Sequence, residues 1–356
     1  MIYPNRPALP RLRRKILPIA AALLATGFAQ TVGADTFDLG RWPNPAAVNE
    51  MRGELVSYPS HSPFTLREVG GGAEEDPTTA ARAGLFVPPT ATAADPVPAV
   101  VLLHGAAGVL AARELTYARQ FAAMGVAALV VDAFGARRDR ATGFVERLLE
   151  VTETMVLADA YAGLRFLDAR PEIDGGRVAL IGFSYGGIAA TLGAFEQTAE
   201  TLSPDGPRFA AHISYYGPCI ARFDDARATG APVLMLAGSE DAIVDPMRCN
   251  QVLDDLRAGG AETEFVIYQN AFHQWDGSFR GPRPIGRNLA DCRFKVGNDG
   301  VVRDSFTFLQ MTGPISRRLI LAACVDSDGY LIGRDDNVRA KSNRAVGDFL
   351  TRAFTR

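Results

Sequence analysis

Residues 181–190 read IGFSYGGIAA, placing Ser184 between Gly182 and Gly186. A serine hydroxyl is a weak nucleophile until a neighbouring base removes its proton. The chain has four histidines, His61, His104, His212 and His273, and only His273 lies beyond the acidic stretch GSEDAIVDP at 238–246. The order serine, acid, histidine therefore selects Ser184 as nucleophile and His273 as base. Within the acidic stretch, Asp241 sits where the loop first leaves an apolar run and is the expected partner of His273. Asp245 precedes Pro246 and reads as a helix N-cap. Asp276 is a rival close in sequence to His273. The chemistry such a set performs is acyl transfer, with the acid orienting the imidazole and stabilising its positive charge.

A tetrahedral oxyanion needs two N–H donors. One is expected from Tyr185, directly after the serine. The other is expected from Ala106, or secondarily Ala107, in the small-residue loop GAAG after VVLLH. His104, just before that loop, reads as a brace. His212 lies inside an apolar run and reads as a core histidine, and His61 as a solvated loop residue.

These residues need elements that hold them still. Ser184 follows RVALIGF, a strand pattern, and precedes GGIAATLGAFEQTA, a helix pattern. Gly-x-Ser-x-Gly between a strand and a helix is a nucleophile elbow, whose strained turn brings backbones too close for a Cβ. The runs AVVLLHG, VAALVVDAFG, FAAHISYYG, PVLMLAG and ETEFVIYQ read as further strands. They alternate with helical stretches such as ARELTYARQFAAMG, FVERLLEVTETMVLADAYAGLRFLDA and DPMRCNQVLDDLRAGG. Continuous apolar strands alternating with helices predict a mostly parallel, doubly wound α/β sheet with helices on both faces. Its reactive groups are then expected at the carboxyl ends of strands. GELVSYPS and AGLFVPP read as short early strands, and NRAVGDFLTRAFTR as a closing helix. Residues 276–339 break the rhythm. They are long, polar and cysteine-bearing, with a hairpin signal in CRFKVGNDGVVRD, and read as an insertion that either folds over the site or decorates the periphery.

The first residues read differently. Arg6, Arg11, Arg13, Arg14 and Lys15 precede the apolar run ILPIAAALLATGFA and the small-residue site VGA. This is the pattern of a secretory signal peptide over residues 1–34, with cleavage expected after Ala34 and Ala29 as the alternative. The arginine pair weakly resembles a twin-arginine signal, and the general export route is preferred. Residues 35–356 are then a single domain, expected in the periplasm or outside the cell. Losing five basic residues leaves 32 Lys+Arg against 40 Asp+Glu, a net charge of about −8. That balance argues against nucleic acid or an anionic membrane as partner. Four cysteines in an oxidising compartment suggest two disulfides. Of the three possible pairings, Cys219–Cys249 and Cys292–Cys324 are favoured because each closes a moderate loop. No CxxC or Cys/His metal spacing occurs, and no metal or cofactor is expected.

VVLLHGAAGV, VVDAFGARR, DAYAGLRFLDARPEIDGGRVALIGFSYGG, GSEDAIVDP and NAFHQWD, spanning roughly 98–276, together resemble the dienelactone hydrolase family of α/β-hydrolases. The resemblance implies Ser184, Asp241 and His273 in the nucleophile, acid and base positions, and oxyanion contacts from Tyr185 and Ala106. Exported, serine-bearing relatives are similar also in a cysteine pair at the positions of Cys219 and Cys249. Three departures stand out. Founding members carry a cysteine nucleophile, a glutamate in the loop after the first long central strand, and His-Gly-Phe where this chain has His273-Gln274-Trp275. The expected function is an exported hydrolase that cleaves a small carboxylic ester or lactone through an acyl-enzyme. A peptidase or acyltransferase of the same fold, and a non-catalytic binding protein built on it, are the rival readings.

Overall fold

The computed structural model describes residues 37–69, 79–140 and 142–356. The expected signal segment, 1–34, lies outside the described residues.

Among the described residues, a short 3-10 turn (Pro45–Val48) precedes β1 (Glu54–Ser60), α1 (Leu66–Val69) and β2 (Thr79–Phe86). The chain continues through β3 (Val97–Leu103), α2 (Glu114–Ala123), β4 (Ala127–Val131), α3 (Phe144–Glu150), α4 (Glu153–Asp168), β5 (Ile173–Phe183), α5 (Tyr185–Leu192) and α6 (Glu196–Leu202). Next come β6 (Ala211–Tyr215), β7 (Ala221–Phe223), β8 (Val233–Gly238), α7 (Pro246–Ala258) and β9 (Thr263–Tyr268). The eight-stranded sheet has the order β1-β2-β4-β3-β5-β6-β8-β9. Strand β2 is antiparallel to both its neighbours, and every pairing from β4 to β9 is parallel. The expected mostly parallel α/β sheet is what the chain forms. Strand β3 and the second half of β5, from Val178, are central and buried on both faces, which is why these stretches are unbroken apolar runs rather than alternating ones.

Two helical patterns that look continuous are each broken. The stretch beginning at Phe144 splits into α3 and α4 because Val151 turns extended and Thr152 caps α4, its Oγ1 accepting from Met155 N at 3.3 Å. The stretch after Ser184 likewise stops at Leu192 and resumes at Glu196. Apolar periodicity survives both breaks, so the pattern does not report them.

Beyond β9 the chain forms β10 (Arg283–Ile285), β11 (Phe294–Val296), β12 (Val302–Asp304), α8 (Pro314–Cys324) and β13 (Tyr330–Ile332), then the closing helix α9 (Asp336–Phe354). The expected hairpin is β11–β12, and β11 also pairs in parallel with β7, a strand not read from the sequence. Within the segment, α8 is amphipathic and buries Ile320 together with Arg317. Both disulfides have the expected pairing, with Cα atoms 5.1 Å apart for Cys219–Cys249 and 4.8 Å for Cys292–Cys324. The second ties the end of α8 back to the start of the segment. No described helix is long and apolar enough to cross a membrane.

His212 is a core residue on β6, with Nδ1–H donating to Ala190 O at 3.1 Å. Burial pushes its pKa down to about 4, against a partial rise from that hydrogen bond. The unfolded chain takes up the proton at about pH 6.5 and the folded chain only at about 4. Stability is therefore full above the unfolded value and falls as pH drops from about 6.5 toward 4, by about 3 kcal/mol for this group. Urea midpoints at pH 7.5 and 4.5 should differ more for the wild type than for His212→Asn. Equal pH sensitivity in the two proteins would remove His212 from the account.

Candidate active site

Ser184 joins β5 to α5, and its backbone has φ +53° and ψ −110°. A side chain rarely tolerates this left-handed conformation, so the surroundings must impose it. They do so through the backbone: Ser184 N donates to Tyr215 O at 2.9 Å, and Ser184 O accepts from Ile188 N at 3.0 Å. The glycines permit the turn. A Cβ on Gly182 would lie 1.9 Å from Gly186 O, and one on Gly186 would lie 2.4 Å from Leu103 O.

Asp241 follows β8 and His273 follows β9, so all three side chains emerge at carboxyl ends of parallel strands. The sheet brings them together although 89 positions separate Ser184 from His273. His273 Nε2 lies 2.8 Å from Ser184 Oγ, and Nδ1 lies 2.7 Å from Asp241 Oδ2. A carboxylate can only accept, so Nδ1 carries the proton and Nε2 is left to accept from the serine hydroxyl. The other carboxylate oxygen of Asp241 accepts from Ile243 N at 3.2 Å, which fixes the acid's rotamer. All three residues are buried, His273 completely. Tyr216 and Tyr330 stand edge-on to the imidazole at 4.7 and 5.0 Å.

The competing acids are engaged elsewhere. Asp245 caps α7, accepting from Met247 N at 2.9 Å. Glu240 is exposed beside Ser239. Asp276 accepts from Tyr216 Oη at 2.5 Å and has no bond to His273. His104 is buried with Nδ1–H donating to Gly105 O at 2.9 Å, and burial keeps its pKa below the ordinary value, as suits a neutral brace. His61 is half-buried rather than fully solvated. Among the described residues, no group of three or more His, Cys, Asp or Glu side chains converges as a metal site would require.

Tyr185 is the first residue of α5, so its N–H has no intrahelical acceptor. Ala106 and Tyr185 line the same cavity as Ser184. The preceding Gly105 is close enough that an added Cβ would sit 3.3 Å from Ser184 Cβ. The Ala107 carbonyl accepts instead from Arg147 Nη1 at 3.3 Å, and Ala107 does not line the cavity. The cavity measures about 390 Å³. Its lining includes Phe144, Leu148 and Ile188 and, from the segment after β9, Leu289, Leu321 and Val325.

The model of the dienelactone hydrolase family matches residues 82–284, more than half of the chain and all three of these side chains. The chain belongs to the dienelactone hydrolase family. It is 24% identical over 213 residues to a Bradyrhizobium sp protein named "Probable 2-oxo-3-(5-oxofuran-2-ylidene)propanoate lactonase", covering 54% of this chain and 80% of the relative. Among solved structures it is similar to a dienelactone hydrolase-like promiscuous phosphotriesterase from metagenomic libraries, at 21% identity and a TM-score of 0.44, covering 63% of this chain and 84% of the other. It is also similar to Thermogutta terrifontis esterase 2 phosphoramylated by tabun, at 17% identity and a TM-score of 0.49, covering 65% and 89%.

In this member of the family, two buried arginines shape the site and escape sequence reasoning. Arg113 Nε donates to Glu114 Oε1 at 2.7 Å, with both side chains fully buried and the guanidinium over the Phe183 ring. Glu114 also accepts from Leu110 N at 2.8 Å, so both oxygens of the carboxylate that follows the GAAG loop are engaged by their own loop. Arg317 of α8 is the second, paired with Glu153. In sequence, both look like the usual charges of a helix's solvent face, and nothing in their spacing marks them as buried.

Proposed function

We propose that this chain is a serine hydrolase that cleaves small carboxylic esters or lactones through an acyl-enzyme on Ser184. The observation that carries the reading is the continuous hydrogen-bond chain from Ser184 Oγ through His273 to Asp241, at 2.8 and 2.7 Å. In this scheme Ser184 Oγ attacks the carbonyl carbon while His273 Nε2 takes its proton. The oxyanion is held by the N–H groups of Tyr185 and Ala106, at the positive end of α5. His273 returns the proton to the departing alkoxide oxygen. Water, deprotonated by the same nitrogen, then releases the acid and restores the serine. Asp241 keeps Nδ1 protonated and offsets the charge of the imidazolium.

The apolar cavity walls support an acyl or alcohol group of modest size. Export is part of the same reading, supported by the basic and apolar start of the chain and by two disulfides that an oxidising compartment would preserve. A fluorophosphonate probe tests the central point. The wild type should be labelled at Ser184, located by mass spectrometry of the modified peptide. An unlabelled serine in folded protein would leave the non-catalytic binding protein as the better reading.

A further inference from the structure

The segment after β9 touches each of the three loops that carry the proposed catalytic groups. Asn288 Nδ2 donates to Ala242 O at 3.2 Å, beside Asp241. Strand β13 brackets His273, whose N donates to Leu331 O at 3.1 Å and whose O accepts from Gly333 N at 3.0 Å. The third contact reaches the elbow. Arg317 of α8 is almost fully buried and uses every arm of its guanidinium. Nε donates to Leu148 O at 2.6 Å, Nη1 and Nη2 each lie 3.0 Å from a Glu153 oxygen, and Nη2 donates to Tyr185 Oη at 3.3 Å. The Tyr185 hydroxyl in turn donates to Val151 O at 2.6 Å. Burial opposes the charge on Arg317, but Glu153 and Tyr185 together more than offset it and keep the guanidinium firmly protonated.

We propose that Arg317 is a positioning residue for the oxyanion site, acting through the side chain of Tyr185. The proposal rests on the serine hydrolase reading above and extends it to a part of the chain beyond the family match, which ends at residue 284. The geometry explains the means. Tyr185 supplies an N–H at the mouth of α5, and its own side chain is the lever that sets where that N–H points. The ring is anchored at its far end by Val151 O, at the break between α3 and α4, and by a guanidinium from α8. A buried ion pair that merely joined α8 to α4 would need only Glu153. The Leu148 and Tyr185 contacts tie α8 in addition to α3 and to a residue that supplies one of the two proposed oxyanion N–H groups. Removing an oxyanion donor outright costs about 10²–10³ in kcat, so a donor left in place but misdirected should cost about tenfold or more.

Three substitutions test this, each read by kcat and KM for p-nitrophenyl acetate and by hydrogen exchange at the Tyr185 amide. Arg317→Met should lower kcat about tenfold or more with KM changed less than about twofold, and should speed amide exchange. Tyr185→Phe keeps the Arg317–Glu153 pair intact, removes only the hydroxyl, and should reproduce the kcat loss even if Arg317→Met folds poorly. Ile320→Ala loosens α8 through its buried apolar face without touching Tyr185, and should lower stability while leaving kcat within about twofold. Wild-type kcat in Tyr185→Phe, or an equal kcat loss in Ile320→Ala, would overturn the proposal. The exchange readout does not depend on turnover. If the wild type shows no esterase activity while Tyr185 exchange still responds to Arg317→Met, the hydrolase reading fails and the positioning link stands.

Discussion

Replacing Ser184 with alanine should reduce kcat/KM for p-nitrophenyl butyrate by about 10⁴-fold or more while leaving the fold intact. The expectation for activity follows from the hydrogen-bond chain. Without Oγ the proposed acyl-enzyme cannot form, and any remaining turnover would be water attack at whatever rate the rest of the proposed site allows. A 10⁴-fold loss corresponds to about 5.4 kcal/mol of transition-state stabilisation, a lower bound beside the roughly 10⁶-fold loss that removing a serine nucleophile can cause. The expectation for folding follows from the backbone. Alanine tolerates the left-handed conformation at position 184 no worse than serine does, and the Ser184 side chain makes no capping bond to α5. The two main-chain hydrogen bonds that hold the turn do not involve the side chain. Steady-state kinetics and a urea melt on the same preparation check both halves. Turnover within tenfold of wild type would place the nucleophile elsewhere.

The site was legible because its residues obey local rules. Ser184 directly follows β5, Asp241 and His273 stand in the loops leaving β8 and β9, and chain order selects His273 among four histidines. Asp245 before a proline declares itself a cap, as the structure bears out. Each of these is a statement about neighbours in sequence. What stayed hidden depends on partners far along the chain. Arg317 lies 132 positions from the hydroxyl it contacts, and its burial exists only because α8 packs where α3 gives way to α4. Strand β7 is three residues long and exists only because β11 lies beside it. Position 274 shows a departure that sequence registers and only conformation explains. The His-Gly-Phe pattern of the resemblance has glycine there, and Gln274 adopts φ +59°, the left-handed region that glycine enters without strain. The turn is thus kept at some conformational cost. Trp275, next to it, is fully buried with Nε1–H donating to Ser342 Oγ at 3.1 Å, which helps fix the turn carrying His273.

Gly182→Ala should cost more than about 3 kcal/mol of stability and lower kcat/KM of the surviving folded protein by about a hundredfold or more. The added Cβ would lie 1.9 Å from Gly186 O, 2.2 Å from Gly186 C and 2.7 Å from Gly187 N. All three are backbone atoms of the first turn of α5, so no side chain can swing aside. Relief requires moving either the end of β5 or the start of α5. The strand end is pinned in register between Leu103 on β3 and Ser214 on β6, which leaves the helix start to move. Yet the helix start carries the Tyr185 N–H, and a shift of about 1 Å there is enough to cost about 10² in rate. The substitution therefore couples a stability loss to a catalytic one. Gly84→Ala on β2 separates this from the general effect of removing a glycine from a strand. There the nearest atom to a new Cβ is Phe86 Cε2 at 3.6 Å, an ordinary contact, and both stability and activity should stay close to wild type. Urea midpoints and kcat/KM for the two variants, measured side by side, decide the matter. If Gly182→Ala were as stable and as active as Gly84→Ala, the close approach at the elbow would not be what holds Ser184 in place.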